Sequence, residues 1–282
     1  MTDELTLMAV HAHPDDEAIS TGGVLARYAD EGVRTVLVTC TGGEVGEISD
    51  STLATAETLV DVRRRELERA CEILRVGRLH LLGYRDSGMM GTLDNAHPSS
   101  FYRASLEEAT ARLVRLVRRE RPQVLVTYDE RGFYGHPDHI RAHQITVAAF
   151  EAAGDPVRWP AIGAPWRPAK LYYTAVARSA IKNLGRLLSD AGIKAPFGDG
   201  GREPEIGIAD ELITTQVDVS AQVERKRQAL MAHATQMGPE VFFAKMPPAL
   251  FYRIFAQESF HLARGHSGAS GMENDLFAGL RR

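Results

Sequence analysis

Short, largely apolar runs at residues 5–10, 34–39, 79–82, 124–128 and 170–175 alternate with longer stretches of helical spacing. Runs this short, bounded by glycine, proline or charged residues, predict buried strands. Stretches 15–31, 61–75, 105–119 and 138–153 predict helices. Val62, Leu67, Ala70 and Leu74 lie near one face of the second, and Leu113, Leu116 and Val117 near one face of the third. The first starts with acids and stops at Gly32; the last is closed by Gly154 and Pro156. Alternation of this kind predicts an α/β fold, Rossmann-like, with a mostly parallel sheet covered by helices on both faces.

Beyond residue 175 the pattern is less regular. It suggests a helix over 181–191, a strand over 212–217, a helix over 221–234 and an apolar stretch over 251–262 after the break at Pro247-Pro248. Stretches 83–100 and 197–207 are rich in loop-forming residues, and loops this long in compact domains are often functional. The expected organisation is a catalytic core over 1–175, a smaller C-terminal lobe over 176–263 contributing to a substrate cleft, and a flexible Gly/Ser-rich tail over 264–282.

Composition narrows the class. The chain has 282 residues, of which 44% are hydrophobic and 25% charged, enough for one large domain or a domain with a lobe. A net charge of -4 gives no reason to expect a nucleic-acid partner. The two cysteines, Cys40 and Cys71, lie in apolar surroundings, which fits a reducing compartment and no disulfide. No stretch approaches the roughly 18 apolar residues of a membrane span, and the N-terminal run is too short for a signal peptide. A cytoplasmic protein with no membrane partner is the expectation.

Two polar clusters follow strand-like runs. The first is His13-Pro14-Asp15-Asp16-Glu17, the second Tyr134-Gly135-His136-Pro137-Asp138-His139. Singly, each reads as a helix cap or a turn; together, at two strand ends, they point to one site. Ligands in open α/β sheets bind at that edge. Zinc takes nitrogen and oxygen donors, and a catalytic site leaves a position for water. His13 and Asp16 are three apart and can face one ion. Asp15 and Asp16 are neighbours and point differently, so one can ligate the metal while the other takes a proton from water that zinc has acidified. His139 is favoured as third ligand over His143, which sits a turn deeper in the helix. His136 and Tyr134 are placed to assist the carbonyl and the departing amine, with Asp138 orienting His136.

The paired motifs resemble the signatures of the PIG-L/LmbE-like zinc deacetylases, which remove N-acetyl groups from glucosamine-containing substrates. The similarity extends to 41–47, 63–67, 84–91 and 126–143. It is nearest the branch that acts on N-acetylglucosaminyl-inositol and on mycothiol conjugates. The resemblance implies zinc, or iron in its place, held by His13, Asp16 and His139. It implies Asp15 as general base, His136 with Asp138 as electrostatic or acid partner, and Tyr134 as the oxyanion donor. It also implies sugar contacts from Arg63 and Asp86. Without it, Arg63 reads as part of a solvated helix face, since neighbouring helical residues point about 100° apart.

Residues 232–236 and the ending Leu276-Phe277-Ala278-Gly279 resemble the thiol-conjugate amidase, whereas 18–21 and Arg85-Asp86-Ser87-Gly88-Met89 lean to the deacetylase. The substrate is therefore expected to be a small amino sugar or a thiol conjugate. His233 lines its cleft if the C-terminal lobe folds over the sheet edge. A dinucleotide-binding oxidoreductase is disfavoured, because no Gly-x-Gly-x-x-Gly follows the first strand. A non-catalytic metal- or sugar-binding homologue is the other alternative.

Overall fold

The computed structural model describes residues 4–194 and 206–281; most of the loop expected at 197–207 lies outside them. The strands are β1 (Thr6–His11), β2 (Arg34–Thr41), β3 (Arg78–Tyr84), β4 (Val124–Thr127), β5 (Lys170–Ala175), β6 (Thr215–Asp218) and β7 (Gln257–Arg264). They form one sheet in the order β3-β2-β1-β4-β5-β7-β6. The first five are parallel, and β7 runs antiparallel to both β5 and β6.

The helices are α1 (Asp16–Ser20), α2 (Gly22–Asp30), α3 (Leu59–Leu74), α4 (Leu106–Glu120), a single turn α5 (Gly132–Gly135), α6 (Pro137–Ala152), α7 (Arg178–Asp190), α8 (Val223–Ala232), α9 (Phe242–Lys245) and α10 (Pro248–Phe255). Among the described residues no helix is long and apolar enough to cross a membrane. Successive strand residues face opposite ways. Leu7 and Ala9 of β1 therefore pack with α2, α3 and α8, while Met8 and Val10 pack with α4 and α6. Burial on both sides explains why the β1 run is unbroken rather than alternating.

The helix expected over 15–31 is divided. Thr21 sits at φ -136° and ψ 5°, between α1 and α2. The Glu258 carboxylate, delivered by β7, accepts the N–H groups of Gly23 and Val24 at 2.7 and 2.8 Å. A buried acid at a helix start satisfies donors the helix leaves open. Lys226 of α8 pairs with the same carboxylate at 2.6 Å.

The C-terminal half departs from the expected lobe and tail. Residues 176–263 supply β6 and β7 to the central sheet, and α8 packs against α2 and α3. The tail after β7 docks rather than hanging free. Glu273 is buried beside Lys170 (2.7 Å) and accepts the Thr215 hydroxyl (3.1 Å). Leu276 and Phe277 are fully buried. A Gly/Ser-rich stretch reads as flexible by composition. Two buried apolar side chains and one ion pair beyond it are enough to fix the segment.

Candidate active site

The chain leaves β1 toward β2 and β3 on one side, and leaves β4 toward β5 on the other. The crevice between β1 and β4 is thus the point where strand order reverses, the usual place for a ligand. Both polar clusters open from the carboxyl ends of these two strands. Asp15 precedes α1 at φ 114°, a region that costs a non-glycine residue on the order of 1–3 kcal/mol. Phe133, within α5, lies at φ 63° and ψ -65°. His136 then caps α6 with Pro137 in the first turn, its Nδ1 accepting the Asp138 N–H at 3.2 Å.

His13, Asp16 and His139 converge. His13 Nδ1 lies 3.4 Å from Asp16 Oδ2, and His139 Nε2 lies 3.5 Å from Asp16 Oδ1. His139 Nε2 is buried and has no hydrogen-bond partner among the described residues. Burial lowers the His13 imidazole, but Asp138, Asp16 and Asp86 overcome this and leave it raised. Burial works against an ionised Asp16, yet His139 and His13 hold its carboxyl well below the usual range. An orphaned imidazole nitrogen beside a buried carboxylate, in a pocket that favours positive charge, fits a divalent cation with nitrogen and oxygen donors. Donor atoms of His13, His136 and His139 lie within 4.8 Å of one another, as do those of His13, Asp86 and Asp138; Asp16 belongs to neither set and joins His13 and His139 through the two contacts above. His143 is elsewhere, with its Nδ1 on the Tyr128 carbonyl at 2.9 Å.

Asp15 lies beside this group. Burial, with Asp16 and Glu17 adding to it, pushes its carboxyl up to about 6, while Arg63 and His233 pull it down. Arg63 is buried, whereas Arg64 and Arg65 are exposed. Its Nη2 donates to the Pro14 carbonyl at 2.5 Å and lies 3.4 Å from Asp15 Oδ2; its Nη1 donates to the Gly43 carbonyl at 3.1 Å. Arg63 is 3% exposed and holds the Asp15 loop; among the described residues its Nε has no hydrogen-bond partner.

The expected Asp138–His136 pairing is not the one formed. The Asp138 carboxylate accepts the Ser87 N–H at 2.9 Å and the Ser87 hydroxyl, and lies 3.3 Å from His13 Nε2. A carboxylate behind a metal-facing imidazole orients that ring. Only the backbone N–H of Asp138 reaches His136. The reason is positional: Asp138 is on the first turn of α6, and its side chain turns inward to the β3 loop. Burial, then His13 and His139, lower His136 to about 4. With Nδ1 accepting a backbone proton, the neutral ring carries its hydrogen on Nε2. Asp86 has its Oδ1 3.6 Å from His13 Nε2 and accepts the Gly88 N–H at 2.8 Å. Tyr134 stands at the mouth, 45% exposed, its ring centroid 5.1 Å from that of His139.

Several contributors were not singled out by sequence reasoning. Tyr128, one residue beyond β4, donates its hydroxyl to Asp16 Oδ2 at 2.7 Å, accepts the Ala12 N–H at 2.8 Å, and stacks on His139 at 4.2 Å. Its place at the strand end was the available signal. Ser87, next to Asp86, gave none. His233 does not line a cleft: it is fully buried and meets Glu17 at 2.7 Å.

Residues 8–150 match the family described as PIG-L: GlcNAc-PI de-N-acetylase. The chain is 46% identical over 287 residues to a 1D-myo-inositol 2-acetamido-2-deoxy-alpha-D-glucopyranoside deacetylase 1 of Frankia alni, covering 96% of this chain and 99% of that protein. It is 43% identical over 292 residues to the correspondingly named deacetylase of Geodermatophilus obscurus, covering 99% of each. Among solved structures it resembles N,N'-diacetylchitobiose deacetylase from Pyrococcus horikoshii, with a TM-score of 0.64, 19% identity, and coverage of 92% of this chain and 84% of that one. A 4-carboxy-2-hydroxymuconate hydratase from Pseudomonas putida shares the fold at a TM-score of 0.60, 19% identity, and coverage of 93% and 97%. The fold therefore hosts more than one reaction, and the site must argue the chemistry. The match over half the chain and the identity to full-length relatives place this protein in the PIG-L de-N-acetylase family.

Proposed function

We propose that this protein is a zinc-dependent N-deacetylase that hydrolyses the acetamide of an N-acetylglucosaminyl-inositol. The observation carrying this reading is the convergence of His13, Asp16 and His139 beside the partly buried Asp15 at the β1–β4 crevice. The printed activity of the relatives supports the substrate. Of the donor sets within reach, His13, Asp16 and His139 suit the ion best. Asp16 touches both imidazoles, while His136 Nδ1 is committed to the Asp138 N–H.

Zinc held there would supply a Lewis acid for the acetamide oxygen and make water acidic near neutral pH. Asp15 takes the proton from the water that adds to the acetamide carbon. It returns a proton to the amine nitrogen as the C–N bond breaks, leaving acetate and a free amine. A carboxyl near 6 can do both. The His136 Nε2–H and the Tyr134 hydroxyl donate to the oxygen that gains negative charge, an arrangement often worth several kcal/mol. His136 is thus an electrostatic partner in this reading, because its lowered pKa keeps it neutral.

The test is primary-amine release from N-acetylglucosaminyl-inositol, a mycothiol-type thiol conjugate and diacetylchitobiose. We expect release from the first, abolished by chelation and restored by added zinc. Asp15→Asn should retain bound zinc and lose roughly 100-fold or more of the rate. Release from the thiol conjugate alone would transfer the reading to an amidase, and release from none would overturn it.

A further inference from the structure

The peptide between Pro14 and Asp15 is gripped on both edges. Arg63 donates to its carbonyl oxygen at 2.5 Å. Its N–H donates to Glu17 Oε2 at 3.0 Å. The other oxygen of that carboxylate, Glu17 Oε1, accepts from His233 Nε2 at 2.7 Å. The orientation of this peptide sets φ of Asp15, the strained angle of 114°. A short acidic loop does not hold such an angle by itself; the surrounding structure must impose it.

His233 follows α8, 216 residues from Glu17 along the chain. Both side chains are fully buried. The other ring nitrogen, Nδ1, is buried and has no hydrogen-bond partner among the described residues. An imidazole with one unmet nitrogen is a poor filler for an interior position, because the unmet group has lost its hydrogen bond to water without gaining another. An apolar side chain would pack there without that cost. The one polar contact the ring makes is therefore the reason for its presence. The segment after it is also clamped: Glu66 of α3 accepts the Thr235 N–H at 2.8 Å and its hydroxyl at 2.6 Å, and the Ser49 N–H donates to the Thr235 carbonyl at 2.9 Å.

We propose that His233 is a positioning residue that acts through Glu17, fixing the Pro14–Asp15 peptide so that the Asp15 carboxylate is presented to the reacting water. This rests on the reading of Asp15 as the general base. Glu17 is the intermediary: one oxygen is anchored by the imidazole, which leaves the other aimed at the Asp15 N–H. Without the anchor the carboxylate rotates and the peptide loses one of its two grips.

The experiment compares His233→Ala, His233→Gln and Glu17→Leu in the full-length, zinc-loaded protein. Three quantities are read: zinc content, the split of kcat against KM, and hydrogen–deuterium exchange over residues 14–18. The Gln side chain at 233 retains an N–H donor for Glu17. For His233→Ala we expect zinc content unchanged, kcat lowered 10- to 100-fold, KM within twofold, and exchange at the Asp15 amide at least 10-fold faster. His233→Gln should return all of these to within about threefold of the parent. Glu17→Leu, which leaves the Asp15 N–H without an acceptor, should resemble His233→Ala, and the double variant should be no worse than either single one. Unchanged exchange, a change confined to KM, or a kcat within twofold of the parent overturns the proposal. If His233→Ala does not fold, Glu17→Leu against His233→Gln makes the same comparison. Retained activity in Asp15→Asn would overturn the base reading instead, while the exchange data still report on the anchor.

Discussion

Asp15 is held between opposed influences, and Arg63 decides how far they move it. Burial raises the carboxyl to about 6, and Arg63 is the first group pulling it back. A general base must be ionised, so kcat/KM should fall as pH drops through the Asp15 pKa. Removing the guanidinium removes a stabiliser of the ionised form. Arg63→Gln should therefore shift the acidic limb of the kcat/KM profile upward by about one pH unit, the scale of a close opposite charge. A limb that stays in place would exclude Arg63 as the group tuning the base. Helical periodicity alone allowed one of Arg63, Arg64 and Arg65 to face inward. Choosing Arg63 required knowing where α3 lies against the β1 loop. Asp138 teaches the same lesson: its motif was legible, but its partner, His13, is 125 residues away.

The loops that close the strands do as much as the strands. Gly43, after β2, has φ +70°, and a Cβ there would lie 2.1 Å from Arg63 Nη1. Glycine is needed because the guanidinium occupies the space. Gly32, after α2, also has positive φ, at +75°, but a Cβ there would meet nothing within 4 Å. Gly32→Ala should cost only backbone strain, on the order of 1 kcal/mol, with kcat/KM unchanged. Gly43→Ala should displace Arg63 and lower kcat/KM about 10-fold or more, since small misplacements near the chemistry are costly. Steady-state kinetics on the two variants separate strain from displacement; equal activities would show that the Arg63 seat is unimportant. The division between α1 and α2 belongs to this scale too. The sequence did not show it, because the Glu258 carboxylate that caps α2 comes from β7.

The C-terminal tail is tied to the central sheet by a buried ion pair. Lys170 of β5 and Glu273 of the tail are each about 2% exposed, and Tyr172 and Thr215 also donate to Glu273. Breaking such a pair strands a charge. Glu273→Ala should lower unfolding stability by about 3–5 kcal/mol, read by denaturant titration. Replacing both partners, as Lys170→Met with Glu273→Leu, should recover most of the loss, because no uncompensated charge remains. If the single variant is as stable as the parent, the tail is not part of the folded unit. Its composition gave the opposite impression, because Gly and Ser describe the linker and not the residues it delivers.

The sequence by itself determined the elements and the chemistry at their ends. Strand runs apolar enough to be buried on both faces, and His-Pro-Asp clusters that cap helices, are local properties that survive without a fold. That is why the parallel sheet, the two motifs and the set of candidate donors were all readable. Tertiary structure alone decided the pairings. β1 and β4 become neighbours because the crossover helices pack on opposite faces of the sheet, which no local pattern encodes. Only then can Asp16 lie between His13 and His139, Asp138 turn to His13, Arg63 grip Pro14, and His233 reach Glu17. Each joins segments far apart in the chain, and its geometry exists only once the layers between them are packed.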